Sequence, residues 1–193
     1  MDASDLSSTL SAESSPEALD SFLAGAERRA FRMARISTGD PDAALDIVQD
    51  SMLKLVKRYR DRPAREWPPL FYRILGNTIT DWHRQRQRTW KVFDRWFGMN
   101  DEDGDALESL PNLTSEQPEG LVAIADNMAM VEQAINALSL RQQQAFMLRC
   151  WAGFSTAETA DAMGCTQGTV KTLYSRAMHN VRLTLTPDKP DTR

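Results

Sequence analysis

The stretch 155–176, "STAETADAMGCTQGTVKTLYSR", contains the signals of two short helices joined by a tight turn. Ser155 and Glu158 form an S-x-x-E capping box that begins the first helix. Ala160 is small enough to let two helices cross closely, and Gly164 suits a left-handed turn. The second helix then has apolar residues at helical spacing, namely Val170, Leu173 and Ala177. These signals together predict a helix-turn-helix.

The outward residues of the second helix are hydrogen-bonding or cationic, with no carboxylate among them. They are Gln167, Thr169, Lys171, Thr172, Ser175, Arg176 and His179. Such side chains can contact base edges in the major groove and neutralise phosphates. An ordinary helical hairpin would satisfy the same spacing. The agreement of spacing, turn chemistry and surface composition nevertheless favours binding of duplex DNA.

The chain immediately before this motif is also predicted to be helical. Apolar residues recur there at helical spacing, at Leu121, Ile124, Met128, Val131, Ile135 and Leu138. Ser139 and Gln142 form a second predicted capping box, of the S-x-x-Q type. These patterns extend the helical block well beyond the quoted stretch.

The whole chain has 193 residues, of which 41% are hydrophobic, enough for one medium domain or two small ones. Helical periodicity recurs without convincing strand alternation, so the predicted fold class is all-α. We expect a disordered tail at 1–20, a helical domain at 21–97 and an acidic flexible linker at 98–120. A second helical domain at 121–186 and a C-terminal tail at 187–193 complete the prediction.

Charge is unevenly distributed along a chain whose formal net charge is -4. Residues 24–98 carry 16 basic and nine acidic side chains, whereas residues 99–130 carry eight acidic and no basic ones. A basic block can bind a polyanion locally even in a chain that is acidic overall. The alternative is a solvated surface with no partner.

Several function classes lack support in the sequence. The four cysteines and histidines, which are Cys150, Cys165, His83 and His179, have no metal-site or disulfide spacing, so we expect no metal or cofactor. We expect the cysteines in the core and the histidines on solvated helix faces. No phosphate-cradling glycine loop or nucleophile with a base is evident, which argues against an enzyme. Neither a leader nor an apolar span is present, so we expect a cytoplasmic protein without membrane insertion.

The segment 41–59 is predicted to form a helix with two different faces. A buried stripe is expected at Leu45, Val48, Met52, Leu55 and Tyr59. The other face is mostly polar and includes Asp46, Gln49, Asp50, Leu53 and Lys57. That second face is either simply solvated or a docking surface for a basic partner.

A third long helix follows the proline-broken loop "DRPAREWPPL". One face is mainly basic and carries Arg73, Asn77, Asp81, Arg84 and Arg88. Nearby aromatic residues are Trp82, Trp90, Phe93, Trp96 and Phe97. Basic groups can follow phosphates while rings stack on unpaired bases, which is typical of single-strand binding. Core aromatics beside a solvated basic face would give the same pattern.

Three motifs in this order and spacing resemble the extracytoplasmic-function (ECF) subgroup of RNA polymerase sigma factors. They are "DAALDIVQDSMLKLVKRY", "WPPLFYRILGNTITDWHRQRQR" and "LSLRQQQAFMLRCWAGFSTAETADAMGCTQGTVKTLYSRAMHNVR". The first is similar to the family's polymerase-clamp helix, the second to its minus-10 and melting region, and the third to its minus-35 domain. The resemblance runs from about Phe22 to Leu185, with the acidic linker as an interruption.

The resemblance implies roles for particular residues. Asp46, Gln49 and Asp50 match a D-x-x-Q-E surface that docks on the polymerase, with Asp50 in place of the usual Glu; Leu53 lies beside them. The minus-10 contacts implied are Arg73, Asn77, Trp82, Arg84 and Arg88. The minus-35 contacts implied are Arg149, Gln167, Lys171, Thr172, Ser175 and Arg176.

The partners that the resemblance implies are core RNA polymerase, through its clamp helices and flap, and promoter DNA. An anti-sigma factor that covers the same surfaces is common in this subgroup. A helix-turn-helix regulator that binds duplex DNA without polymerase is the competing hypothesis. That hypothesis explains only the C-terminal half of the chain and leaves the basic-aromatic segment without a role.

Overall fold

The computed structural model describes residues 15–97 and 124–185, with side chains described for 15–88 and 130–185. Within these ranges the protein consists of seven α-helices and one short 3-10 turn, Ala64–Glu66, and has no strand. The helices are α1 Pro16–Thr38, α2 Pro41–Tyr59, α3 Trp67–Phe97, α4 Ile124–Asn136, α5 Leu140–Cys150, α6 Thr156–Met163 and α7 Gln167–Leu185. The predicted all-α class is therefore confirmed. The predicted linker at 98–120 and the tail at 187–193 lie outside the described residues.

Helix α1 begins earlier than the sequence pattern indicated. Ser15 is its N-cap, with the side-chain oxygen accepting a hydrogen bond from the Ala18 backbone N–H, and Pro16 occupies the first turn. Leu19 is buried in the core. The prediction of disorder for 1–20 is therefore wrong for residues 16–20, because a serine followed by proline and acid is an N-cap signal. Residues 1–14 lie outside the described part.

A tight turn separates α1 from α2. Gly39 adopts φ 69° in the left-handed region, and Asp40 caps α2 by accepting from the N–H groups of Asp42 and Ala43. The buried residues of α2 are Ala44, Ile47, Val48, Ser51 and Leu55. Leu45, which was predicted to be buried, is 46% exposed. Val48 and Leu55 are buried as predicted, and Met52 and Tyr59 pack partly buried against the core, so Leu45 is the one predicted stripe residue that faces outward.

Aromatic side chains at the start of α3 form the centre of the N-terminal unit, which comprises α1–α3. Trp67 and Phe71 are fully buried, and the Trp67 indole N–H donates to the Tyr59 carbonyl oxygen over 3.2 Å. The Phe22 ring of α1 lies 5.9 Å from that of Phe71 in an edge-on arrangement. Ring contacts of this kind add to the free energy of apolar burial.

The helix-turn-helix is present in the C-terminal unit, which comprises α4–α7. Ser155 and Glu158 form a complete capping box, and Gly164 ends α6 at φ 61°. Val170 and Ala177 of α7 are buried, as predicted. The capping box predicted at Ser139 is wrong, because its side chain makes no capping hydrogen bond.

The two units pack directly against each other. The Ser37 hydroxyl donates to the side-chain oxygen of Gln143 over 3.1 Å in a buried position. The rings of Tyr72 and Phe154 meet edge-on at 5.3 Å. Because buried residues of both units form one continuous cluster, the described helices share a single hydrophobic core.

Candidate nucleic-acid and protein interfaces

The first candidate surface lies on the exposed side of α2 and is called here the acidic surface: Asp46, Gln49, Asp50 and Leu53. Asp46 and Gln49 are exposed, and Leu53 is 55% exposed although it is a large apolar residue. Asp50 forms an ion pair with Lys54 at 2.7 Å, one turn along the helix. The structure thus brings all four predicted residues to one side of α2, where a leucine lies beside carboxylates.

Leu45 adjoins the acidic surface, although the sequence pattern assigned it to the core. It lies one turn from Gln49, and residues four apart are neighbours on a helix. An alternative stripe through Ala44, Val48 and Leu55, all of which are buried, is the sequence signal that could have placed Leu45 outside the core. The surface consequently offers two exposed leucines to a partner.

The second candidate surface follows α3 and is called the basic surface: Arg73, Asn77, Arg84 and Arg88. All four side chains are exposed. Their spacing of four, seven and four residues places them along one side of the helix. Arg84 forms an ion pair with Asp81 at 3.7 Å. The Arg73 guanidinium differs from the others because its Nε and Nη2 groups both donate to the Asp161 carbonyl oxygen of α6.

Trp82 does not share the side of α3 that carries the basic surface. It lies five residues after Asn77, which is roughly 140° around a helix of 3.6 residues per turn. The ring is half-buried, packs against the core and meets the His83 ring edge-on at 4.9 Å. The Arg86 guanidinium covers it at 5.1 Å. Trp82 therefore packs within the N-terminal unit, and it does not lie on the same side of α3 as the other predicted minus-10 residues.

The third candidate surface lies on α7 and is called the recognition surface: Gln167, Lys171, Thr172, Ser175 and Arg176. Every one of these side chains is exposed. The helix is initiated by Thr166, whose hydroxyl oxygen accepts from the Thr169 N–H over 3.2 Å. Its first turn contains no acidic residue. The positive end of the helix dipole is thus free to face an anion.

Arg149 lies on α5 rather than on α7, and its side chain has structural partners. It is half-buried, its Nη1 group donates to the Phe154 carbonyl oxygen, and its guanidinium lies 5.6 Å from the centre of the Tyr174 ring. The Tyr174 hydroxyl contacts the Cys150 thiol at 3.5 Å, and this contact with partial burial raises the pKa of Tyr174. Arg149 therefore orders the loop before α6 in addition to its predicted DNA role.

The histidines and cysteines follow the prediction only in part: His179 is exposed as expected, whereas His83 is not. His83 is half-buried, and its Nε2 atom lies 2.8 Å from the Ser37 carbonyl oxygen. Burial lowers the pKa of His83, and Arg86 acts in the same direction. Cys150 is exposed, contrary to the prediction, whereas Cys165 is half-buried and packs against the core. Residues 15–97 and 124–185 contain no cluster of three or more metal-ligating side chains.

Each of the two units matches a different region of one known protein family. The Sigma-70 region 2 model matches residues 23–89, and the Sigma-70 region 4 model matches residues 128–180. The RNA polymerase sigma-E factor of Streptomyces coelicolor is 28% identical over 84% of this chain and 83% of its own length. The ECF RNA polymerase sigma factor SigL of Mycobacterium tuberculosis is 29% identical over 80% of this chain and 81% of its own length.

The chain belongs to the ECF sigma factors. Region 2 carries the acidic and basic surfaces, and region 4 carries the recognition surface. This sigma factor therefore has the two regions of a promoter-recognising subunit of RNA polymerase. Among the helices that the structure describes, none is both long and apolar enough to cross a bilayer.

A solved structure has the same fold over most of its length. It is the sigma factor RpoE in complex with the anti-sigma factor NepR, from Bartonella quintana. The TM-score is 0.62 at 22% identity, over 88% of this chain and 98% of that one. The arrangement of helices in this sigma factor is thus similar to one seen by experiment.

Proposed function

We propose that this sigma factor docks on core RNA polymerase through the acidic surface and holds both elements of a promoter through its other two surfaces. The observation that supports this most directly is the order of the two family regions, each carrying its own exposed surface. The role is one of binding and positioning, with no bond made or broken by the chain itself.

The acidic surface has the composition of a docking site. Asp46 and Asp50 supply negative charge for a basic partner, and charge complementarity accelerates association and orients the partner. Exposure of Leu53 and Leu45 to water is unfavourable, and a partner that covers these two side chains gains the free energy of burying them. A solvated face would not need two large leucines beside its carboxylates.

Promoter contacts divide between the other two surfaces. Gln167 and Lys171 lie in the first two turns of α7, the part of a recognition helix that meets base edges in the major groove. The arginines of the basic surface would contact the backbone of the strand that separates at the minus-10 element. Asn77 carries an amide that can read one unpaired base, and capture of such a base favours melting.

A run-off transcription assay with purified core polymerase tests this function. The template carries a promoter found by mapping transcript starts after induced expression of the protein. We expect transcripts that depend on the protein and are lost in the double variant Asp46→Lys, Asp50→Lys. The matched control reverses two exposed carboxylates of α1, Asp20→Lys and Glu27→Lys, and should retain transcription. Transcripts independent of the protein would contradict the proposal.

An anti-sigma factor is a proposed regulatory partner. The structural relative from Bartonella quintana is bound to one. Such a protein would cover the acidic surface and compete with polymerase there. Recovery of a complex with this chain that excludes core polymerase would support that role, whereas simultaneous binding of both would contradict it.

A further inference from the structure

A cleft outside the three candidate surfaces opens between α1, the start of α3 and the loop that joins α5 to α6. Its volume is about 370 Å³, within the range of about 300–1,000 Å³ that is usual for small-molecule sites. Three of its lining residues are aromatic, namely Phe22, Tyr72 and Phe154. The rings of Tyr72 and Phe154 meet edge-on at 5.3 Å. The cleft therefore offers apolar walls to a ring-sized group.

One side of α1 forms the floor of the cleft. Phe22, Gly25 and Arg29 all line it, and their spacing of three and four residues places them on one side of the helix. Gly25 has no side chain, and a carbon atom added there would have nothing within 4 Å. The space above Gly25 is thus open, with a ring at one end and a guanidinium at the other.

The charge of the cleft is positive. Arg29 is a cation, and none of the lining residues that the structure describes is acidic. Two neighbouring arginines of α1 already have partners: Arg35 pairs with Glu132 at 2.8 Å. The Arg32 guanidinium lies 5.6 Å from the centre of the Trp151 ring. Arg29, by contrast, forms no ion pair with any residue whose side chain is described, so its charge is available to an anion.

Tyr72 supplies a hydrogen-bond donor beside Arg29. It lines the cleft and is only 4% exposed, although it carries a polar hydroxyl. Burial raises the pKa of Tyr72, and the nearby charge of Arg29 opposes part of that rise. The phenol therefore stays protonated at neutral pH, and its O–H can donate to the same anionic group that the guanidinium pairs with.

We propose that this cleft is a binding site for a small aromatic carboxylate. The carboxylate pairs with Arg29 and accepts a hydrogen bond from the Tyr72 hydroxyl, while the ring packs against Phe22 and Phe154. A neutral aromatic compound leaves the guanidinium unpaired, and a carboxylate without a ring leaves the apolar walls uncovered. The site is independent of the proposed function, because it contains no residue of the acidic, basic or recognition surface.

Titration of the full chain with naphthylacetate, followed in amide NMR spectra, tests the site. We expect saturable shifts with a Kd on the order of 1 mM, as for other compounds of this size. The largest shifts should occur at the amides of Gly25 and Phe154. Naphthylacetamide has the same shape without the charge, and acetate has the charge without the ring. Both should bind about 10-fold more weakly.

Four variants show which groups hold the probe. Arg29→Gln should weaken naphthylacetate about 10-fold and leave naphthylacetamide unchanged, because it removes only the charge pairing. Tyr72→Phe keeps the ring and should weaken naphthylacetate about 3- to 10-fold. Gly25→Met fills the open space above α1 and should abolish binding of both compounds. Arg28→Gln, at an exposed position outside the cleft, is the matched control and should keep the wild-type affinity.

The outcomes separate a built site from a general attraction of anions. If Arg28→Gln weakens naphthylacetate as much as Arg29→Gln does, the binding is a general effect of charge and the site is overturned. Equal affinities for naphthylacetate and naphthylacetamide would overturn it as well, and so would shifts confined to other parts of the chain. The proposed function is tested separately by transcription and stands or falls without this site.

Discussion

The basic surface of α3 and the recognition surface of α7 differ in how they are supported. Helix α3 rests on fully buried aromatic rings, and one of its exposed arginines is bound by the other unit. Helix α7 is held by small residues such as Val170 and Ala177, and its outward side chains remain free of region 2. The comparison shows that the recognition surface is fully exposed, whereas Arg73 of the basic surface is bonded to α6 of the other unit.

The largest expected effect concerns the aromatic support of α3. Phe71→Ala removes a fully buried ring that contacts the rings of Phe22 and Tyr72, so the free energy of unfolding should fall by about 3–5 kcal/mol. Val170→Ala in α7 removes two methyl groups and should cost about 2 kcal/mol. Urea denaturation measures both. Equal losses would mean that the two helices are supported alike.

The next largest effect concerns two helical glycines, one in α1 and one in α3, that differ in the space available for a side chain. Gly25 of α1 has nothing within 4 Å of an added side-chain carbon, so Gly25→Ala should raise the unfolding free energy by about 0.5–1 kcal/mol. Gly76→Ala offers α3 the same gain, but its methyl group overlaps the Gln144 amide. The amide is the far end of a flexible side chain and can swing aside, so the gain should be smaller than at Gly25, and it should be larger when Gln144→Ala is added.

Thermal or urea unfolding of the glycine variants decides this prediction. If Gly76→Ala stabilises the chain as much as Gly25→Ala does, the Gln144 side chain moves aside without cost, and its contact with α3 contributes nothing to holding the two units together.

The salt dependence of DNA affinity tests whether the recognition surface binds duplex DNA. Lys171→Ala and Arg176→Ala should each lower the slope of log affinity against log salt by about one, because each removes one phosphate contact. Duplex carrying the minus-35 element is titrated at several salt concentrations. The exposed Arg28 of α1 provides a control, since Arg28→Ala should leave the slope unchanged. Unchanged slopes for both α7 variants would place the DNA elsewhere.

The smallest effect is a pH dependence of stability centred on His83. Burial holds its pKa below the ordinary value of 6.5, so the folded state favours the neutral ring. The unfolded chain then binds more protons, and stability present above pH 6.5 should decline as the pH falls below it. His83→Gln should reduce this decline in urea denaturation between pH 7 and 5.

Local signals were sufficient for the helix-turn-helix. The capping box needs only Ser155 and Glu158, and the turn needs only Gly164, so every determinant lies within a few residues. The same reasoning failed at Ser139, which matches the pattern but makes no capping hydrogen bond. A capping pattern specifies where a helix can begin, whereas the side-chain contact depends on the surrounding packing.

The exposure of Leu45 and the docking of the two units could not be predicted from local patterns. Spacing placed Leu45 in the core together with Val48 and Leu55, but the structure buries Ala44 in its place. Two hydrogen bonds between the units join residues that are distant in sequence: Ser37 and Gln143 are 106 positions apart, and Arg73 and Asp161 are 88 apart. Periodicity within one helix does not show which helices of the two units will pack together. The resemblance to a family identified the candidate surfaces but not whether each one is exposed or in contact with the other unit.

Affinity for core RNA polymerase tests the central claim most directly. Purified chain is titrated against core enzyme without DNA, and the double variant Asp46→Lys, Asp50→Lys is titrated beside it. We expect saturable binding by the wild type that the variant loses. If the wild type shows no affinity for the core enzyme, or if both bind equally, the acidic surface is not a polymerase-docking site and the account is contradicted.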